Sequence, residues 1–204
     1  QFPRGITSSG IAEDCSTSPP VSLYGTAKVA SEQLALEYGA AFEFPVWIDR
    51  CGVLAGAGQF GRADQGILSF WINAWVRHQP LKYIGFNGNG GQVRDFLDPR
   101  DLLPLLQKQM GAKTATHRIS NVSGGLANAM SLRQLSAWCE KRFGPREVSG
   151  DPQPRPFDIP WLVLDSTRAV QEWGWQVATP LETVLEEIAT HAESHPHWLE
   201  LSAP

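Results

Sequence analysis

Tyr24 and Lys28, in the run Tyr24-Gly25-Thr26-Ala27-Lys28, are spaced so that a helix would place the phenol and the ammonium on one face. A free phenol titrates near ~10, and a cation close by favours its ionised form, so such a pair can exchange a proton with a substrate hydroxyl. That exchange must accompany removal of a hydride from a carbinol carbon. Any Tyr with a Lys four residues on gives the same match, so the spacing by itself names a candidate and not a role. Tyr38 and Tyr83 do not repeat it.

A second run, Gly56-Ala57-Gly58-Gln59-Phe60-Gly61, is a literal G-x-G-x-x-G. A phosphate-cradling turn of that kind needs a helix starting directly after it and an acidic residue about 20 positions on, at the end of the next strand. Here the next strand reads as residues 81–86 and ends at Asn87, and the helix starts only after Arg62-Ala63-Asp64. The run is therefore read as a decoy. His191, His195 and His197 offer an i, i+4 pair, but Pro196 interrupts the helix and no carboxylate or cysteine completes a ligand set, so they read as a solvated C-terminal tail. Phe70, Trp71 and Trp75 could stack on a base, yet their helical spacing reads as core. Ser8 and Ser9 lie in no nucleophile-elbow context.

The elements that must hold these residues alternate between helix and strand, which indicates α/β layering. Ser22 is a helix N-cap and Gly39 a natural stop, which predicts a helix over 24–38. Branched and aromatic residues over 45–53 predict a buried strand delivering Asp49, Arg50 and Cys51 to its end. Apolar residues at Ile67, Leu68, Trp71, Ile72, Trp75 and Val76 predict a helix over 65–78. Strands at 81–86 and 92–97, separated by Asn87-Gly88-Asn89-Gly90-Gly91, are expected to pair as a hairpin. Further helices are expected over 101–110, 131–143 (capped by Ser131) and 180–194, and a strand over 117–122; residues 1–22 read as an irregular surface segment.

Composition narrows the function classes. The 204 residues are 42% hydrophobic and 19% charged, enough to offset ordering entropy by burial. A formal charge of -4 carries no basic footprint, so nucleic acid is not an expected partner. Apolar runs fall far short of the roughly 20 residues a membrane helix needs. Cys15, Cys51 and Cys139 are odd in number and without C-x-x-C spacing, which fits a reducing cytoplasm rather than a disulfide framework or zinc cluster. The chain opens on Gln1 rather than Met, and further chain is expected upstream.

Five segments, in order, resemble the extended short-chain dehydrogenase/reductase family of NAD-dependent nucleotide-sugar epimerases and dehydratases. They are Pro20 through Lys28 with Glu32; Arg50-Cys51-Gly52-Val53-Leu54-Ala55-Gly56; Gln92 through Asp98 with Asp101-Leu102; Asn121-Val122-Ser123-Gly124-Gly125; and Gly174-Trp175 with Pro180-Leu181-Glu182. Asp64-Gln65-Gly66 and Gly91-Gln92-Val93-Arg94-Asp95 are similar to the cytidine-diphosphate sugar (paratose or tyvelose) 2-epimerases within it. Gly52 stands where many relatives have Asn, and Asp98 where they usually have His.

The resemblance implies the C-terminal part of a Rossmann-type doubly wound sheet plus a smaller α+β substrate-binding domain. Residues 1–63 and 92–122 would belong to the first, 64–91 and 123–204 to the second, and the glycine-fingerprint half and a catalytic Ser/Thr would lie outside the chain. It implies Tyr24 as proton-transfer residue and Lys28 as its partner, with both and Cys51, Gly52 and Val53 at the cofactor, NAD, with NADP left open. Asp64, Gln65, Arg94 and Arg155 would contact a nucleotide-diphosphate sugar, the two arginines at its diphosphate, where guanidinium forks make directional charge-assisted bonds. Without the resemblance, Arg94 reads as a salt bridge with neighbouring acids and Arg155 as a solvated loop residue. The implied reaction is epimerisation, with a dehydratase, a reductase or a non-catalytic sugar-nucleotide module as alternatives; the fragment itself is expected to be inactive and a homodimer is an expected assembly.

Overall fold

The computed structural model of the chain describes residues 4–62 and 65–201. Helix α1, Leu23–Ala41, begins where Ser22 accepts a hydrogen bond from the Gly25 amide at 2.9 Å. It contains no proline and runs 19 residues, longer than the predicted 24–38. The strand expected over 45–53 is two strands, β1 (Ile48–Cys51) and β2 (Val53–Leu54), because the chain changes neighbours at Gly52. Strand β1 pairs in parallel with β5 (Ile119–Val122), whereas β2 pairs in parallel with β4 (Val93–Leu97). Glycine eases that crossing in this chain, since a Cβ at position 52 would lie 2.8 Å from both Asp95 Oδ1 and Ser123 Cβ.

Strand β4 is the hub, pairing also with β6 (Ala129–Ser131, antiparallel) and β8 (Trp161–Leu162, parallel). The predicted hairpin is not formed: β3 (Lys82–Ile84) pairs instead with β7 (Ser149–Asp151) in parallel. The glycine-rich stretch between β3 and β4 coils through a short 3-10 turn, Phe86–Gly88, with Phe86 and Asn87 at positive φ, so the two strands do not come back on each other.

Helix α2 (Ile67–Val76) is buried on nearly every side and packs on α6 (Leu181–Ser194) and α4 (Leu132–Phe143). Leu68, Trp71, Ile72, Leu135, Leu185 and Ile188 form this larger core, so the aromatic spacing on α2 is core packing, as expected. Ser131 and Gln134 build a full capping box at the start of α4. A smaller core of Leu97, Leu105, Val122, Ala169 and Trp175 joins α3 (Leu103–Gly111) and α5 (Thr167–Trp173) to the strands. A last turn, α7 (Trp198–Leu201), returns against α2. Residues 4–22 form neither helix nor strand but are tied down: Thr7 Oγ1 donates to Asp165 at 2.6 Å, and Glu13 accepts from the Asn121 amide at 2.7 Å. No described helix is long and apolar enough to cross a membrane.

Candidate functional site

Parallel strands leave their carboxyl ends as the natural place for a ligand, because helices cover both faces of such a sheet and the loops at that end stay open. Here a cleft of about 700 Å³ opens against β2, β3, β4 and β6 and the first turns of α1, α2 and α4. Tyr24, Val53, Gln65, Arg94 and Arg155 all border it. Four distant stretches of sequence are thereby brought to one cleft.

Tyr24 sits in the first turn of α1 and is 72% exposed, with Lys28 Nζ above its ring, 5.3 Å from the centroid. Arg94 projects from β4 and is held firmly. Its Nη1 donates to the carbonyls of Val93 and Ile159, both at 2.7 Å, and its Nη2 to Asp158 Oδ1 at 2.7 Å. The salt bridge and the cleft position thus coexist. Arg155 and Asp158 share the loop between β7 and β8 and both line the cleft. Cys51 and Gly52 form the turn between β1 and β2, next to Val53 but behind the cleft lining; burial, with Asp49 nearby, pushes the Cys51 thiol up to about 11, so it is protonated. Asp64 lies outside the described residues.

Several lining residues carry no signal that spacing alone reveals: Lys82, Gln59, Gln92 and Asp158. Gln59 lies within the glycine run, and Asp158 ends the Arg155-Pro156-Phe157-Asp158 stretch; proximity in sequence to a candidate was the available clue. The side-chain oxygens of both glutamines are buried without a hydrogen-bond partner, which leaves two acceptors at the cleft wall.

The glycine run builds that wall rather than a phosphate cradle. A Cβ at Gly61 would collide with the Phe70 amide of α2, and the Gln59 carbonyl accepts from Ser69 Oγ at 2.6 Å and Trp198 Nε1 at 2.9 Å. The solvated reading holds for His195 and His197, which are exposed after α6 ends at Ser194, but the tail is also packed: His191 and His195 stack with centroids 4.0 Å apart, both edge-on to Trp198, which itself stacks on Phe60 at 5.0 Å. Helical return of α7 makes this cluster, which no local pattern announces. Among the described residues no group of three or more His, Cys, Asp or Glu could hold a metal ion, and the three cysteines are free.

Asp95 and Asp98 are nearly fully buried. Burial raises the Asp95 carboxyl above its usual range, against hydrogen bonds from Ser123 and the Leu164 amide. Asp98 is held low by Arg100, which forks onto it at 2.9 and 2.6 Å and reaches Glu187 of α6 at 2.6 Å. Through Arg100, Asp98 tethers the end of β4 to α6, away from the cleft lining.

The sequence profile of the NAD dependent epimerase/dehydratase family matches residues 2–124. The chain belongs to this family. The epimerase/dehydratase chain is 29% identical over 117 residues to CDP-paratose 2-epimerase of Salmonella typhi, covering 56% of itself and 35% of that protein. It is 29% identical over 207 residues to UDP-glucose 4-epimerase of Azospirillum brasilense, covering 94% of itself and 57% of that protein. The solved structure of MoeE5 in complex with UDP-glucuronic acid and NAD superposes with a TM-score of 0.78 at 26% identity, over 93% of this epimerase/dehydratase chain and 61% of MoeE5. The chain therefore spans between about a third and three fifths of these relatives' lengths, and its mixed α/β layering with parallel strands is the Rossmann-type fold of the family.

Proposed function

We propose that this chain is the C-terminal part of an NAD-dependent nucleotide-sugar epimerase, with residues 1–63 and 92–122 completing the nucleotide-binding sheet and 64–91 and 123–204 forming the substrate-binding side. The observation that carries the reading is that Tyr24, Val53, Gln65, Arg94 and Arg155 border one and the same cleft. A proton-transfer group and two guanidinium groups lining one cleft suit a ligand with a reacting hydroxyl at one end and a diphosphate at the other. The residues present also suit the cofactor. Tyr24, with Lys28 Nζ over its ring, borders the same cleft as Val53, and the Cys51–Gly52–Val53 stretch lies at the carboxyl end of the parallel strand β1, where this class of sheet holds dinucleotides.

When bound, NAD supplies the hydride acceptor and donor. The chain's own part is to take and return the hydroxyl proton at Tyr24 Oη, with Lys28 as its cationic neighbour, while Arg94 and Arg155 hold the diphosphate and the apolar wall of Leu54, Phe70 and Phe96 keeps water from the reacting carbon. A nucleotide-diphosphate sugar and a second copy of the protein are the partners this reading calls for, and the cytoplasm is its compartment. Tyr24→Phe in the full-length protein is expected to abolish turnover while nucleotide-sugar affinity stays within about twofold. Full activity in that variant would remove Tyr24 from the chemistry and the reading with it.

A further inference from the structure

Residues 152–160 cross from β7 to β8 as a strap along the cleft, and their sequence makes the strap stiff. Pro152, Pro154, Pro156 and Pro160 fix four backbone angles, and Phe157 stands at φ 61, a left-handed conformation that a phenylalanine adopts only when its surroundings impose it. The strap is moored at both ends, by the Gly85 amide on the Asp151 carbonyl at 2.8 Å and the Val93 amide on the Pro160 carbonyl at 2.9 Å. Between the moorings Arg94 reaches across from β4 and takes the Ile159 carbonyl and the Asp158 carboxylate. Asp158 Oδ1 is shared: it also accepts from the Ile159 amide at 3.0 Å.

Resting on the reading that Arg94 and Arg155 bind a diphosphate, we propose that Asp158 is a positioning residue for Arg94, fixing its guanidinium against the strap so that the unused donors face the ligand. A guanidinium has five N–H groups; the two on Nη1 and one on Nη2 are committed to Val93, Ile159 and Asp158. The Nε proton and the other Nη2 proton remain to bind phosphate oxygens. A long cation swinging freely would lose rotamer freedom on binding; Arg94, held at three points, has already lost it. The same strap carries Arg155, so holding Arg94 to the strap also sets the spacing of the two cations.

A positioning role for Asp158 and simple charge counting predict effects of opposite sign. Deleting an acid beside an anion site should tighten anion binding if only Coulomb attraction matters. If Asp158 positions Arg94, Asp158→Ala weakens it. Asp158→Asn keeps an oxygen that accepts from both Arg94 and the Ile159 amide while removing the charge. Calorimetric titration of the full-length protein with UDP tests this. The expected order is Asp158→Ala weaker than wild type by about fivefold or more, and Asp158→Asn equal to wild type or tighter. Asp158→Ser, too short to reach the guanidinium, repeats the alanine test should that variant not fold. Wild-type or tighter affinity in Asp158→Ala, or an equal loss in Asp158→Asn, overturns the positioning role. If Arg94→Ala binds UDP normally, the diphosphate reading falls and this proposal with it; if Arg94→Ala loses affinity while Asp158→Ala does not, the positioning role alone is overturned.

Discussion

Arg94 and Asp95 are neighbours on β4, and the two-residue period of a strand sends them to opposite faces. Arg94 borders the cleft; Asp95 is buried beneath the Gly52 turn. Each position supports a prediction. Arg94→Ala removes a charge-assisted donor set from the proposed diphosphate site and should weaken UDP by about 1.5–3 kcal/mol, read by calorimetry. Gly52→Asn forces a Cβ to 2.8 Å from Asp95 Oδ1 and Ser123 Cβ. Such overpacking costs about 1–3 kcal/mol, so thermal melting should fall by roughly 2–4 °C for each kcal/mol in a chain of this size. Unchanged melting would show that the β1–β2 turn has slack that the packing does not suggest.

Helix α6 links the larger core to the histidine and tryptophan cluster. Its inner face carries Val184, Leu185 and Ile188, each at 1% exposure, against α2. Ile188→Ala should cost about 2–5 kcal/mol in chemical denaturation. Its C-terminal turn carries His191, whose pKa is lowered by burial and by His195 beside it. The sign follows directly. A base with a depressed folded pKa binds protons better when unfolded, so stability is full above the ordinary value of 6.5 and declines as pH falls through 6.5 toward the folded pKa. Denaturation midpoints measured from pH 8 to pH 5 should show that decline, and His191→Gln should lessen it; an identical slope in the variant would assign the dependence elsewhere.

The whole molecule exposes more surface than its mass calls for. Its accessible area is 11860 Å², against ~9,400 Å² expected for a compact monomer of this mass. Part of the excess is apolar: along α1 and at its C-cap, Leu23, Leu34, Tyr38 and Phe42 are each more than half exposed, and β1 has one ladder partner among the described residues. Apolar surface and an open strand edge together favour association. Light scattering on the purified 204-residue chain should find self-association, reduced by Leu34→Glu with Tyr38→Glu; a monodisperse monomer would contradict this. Because the glycine run packs against α2 and the chain covers at most about three fifths of the relatives above, titrating the same chain with NADH should give no saturable micromolar binding. Saturation would return the glycine run to consideration as a cofactor site.

What the amino-acid sequence determined by itself is local. Ser22 and Ser131 start their helices because a side-chain oxygen three residues back satisfies a free amide, and α2 is core because its apolar residues recur at the helical period. The Tyr24 and Lys28 pairing follows from the same period, and the family resemblance from the order of five segments. The short strands β6, β7 and β8 have no such signal, being two or three residues long and stabilised wholly by partners distant in the chain. The hairpin expectation failed for that reason: turn residues permit a reversal, but pairing free energy comes from whichever strand is presented, and β7 was presented to β3. The Arg94–Asp158 contact and the His191–Trp198 cluster likewise join residues that only the folded chain brings within bonding distance.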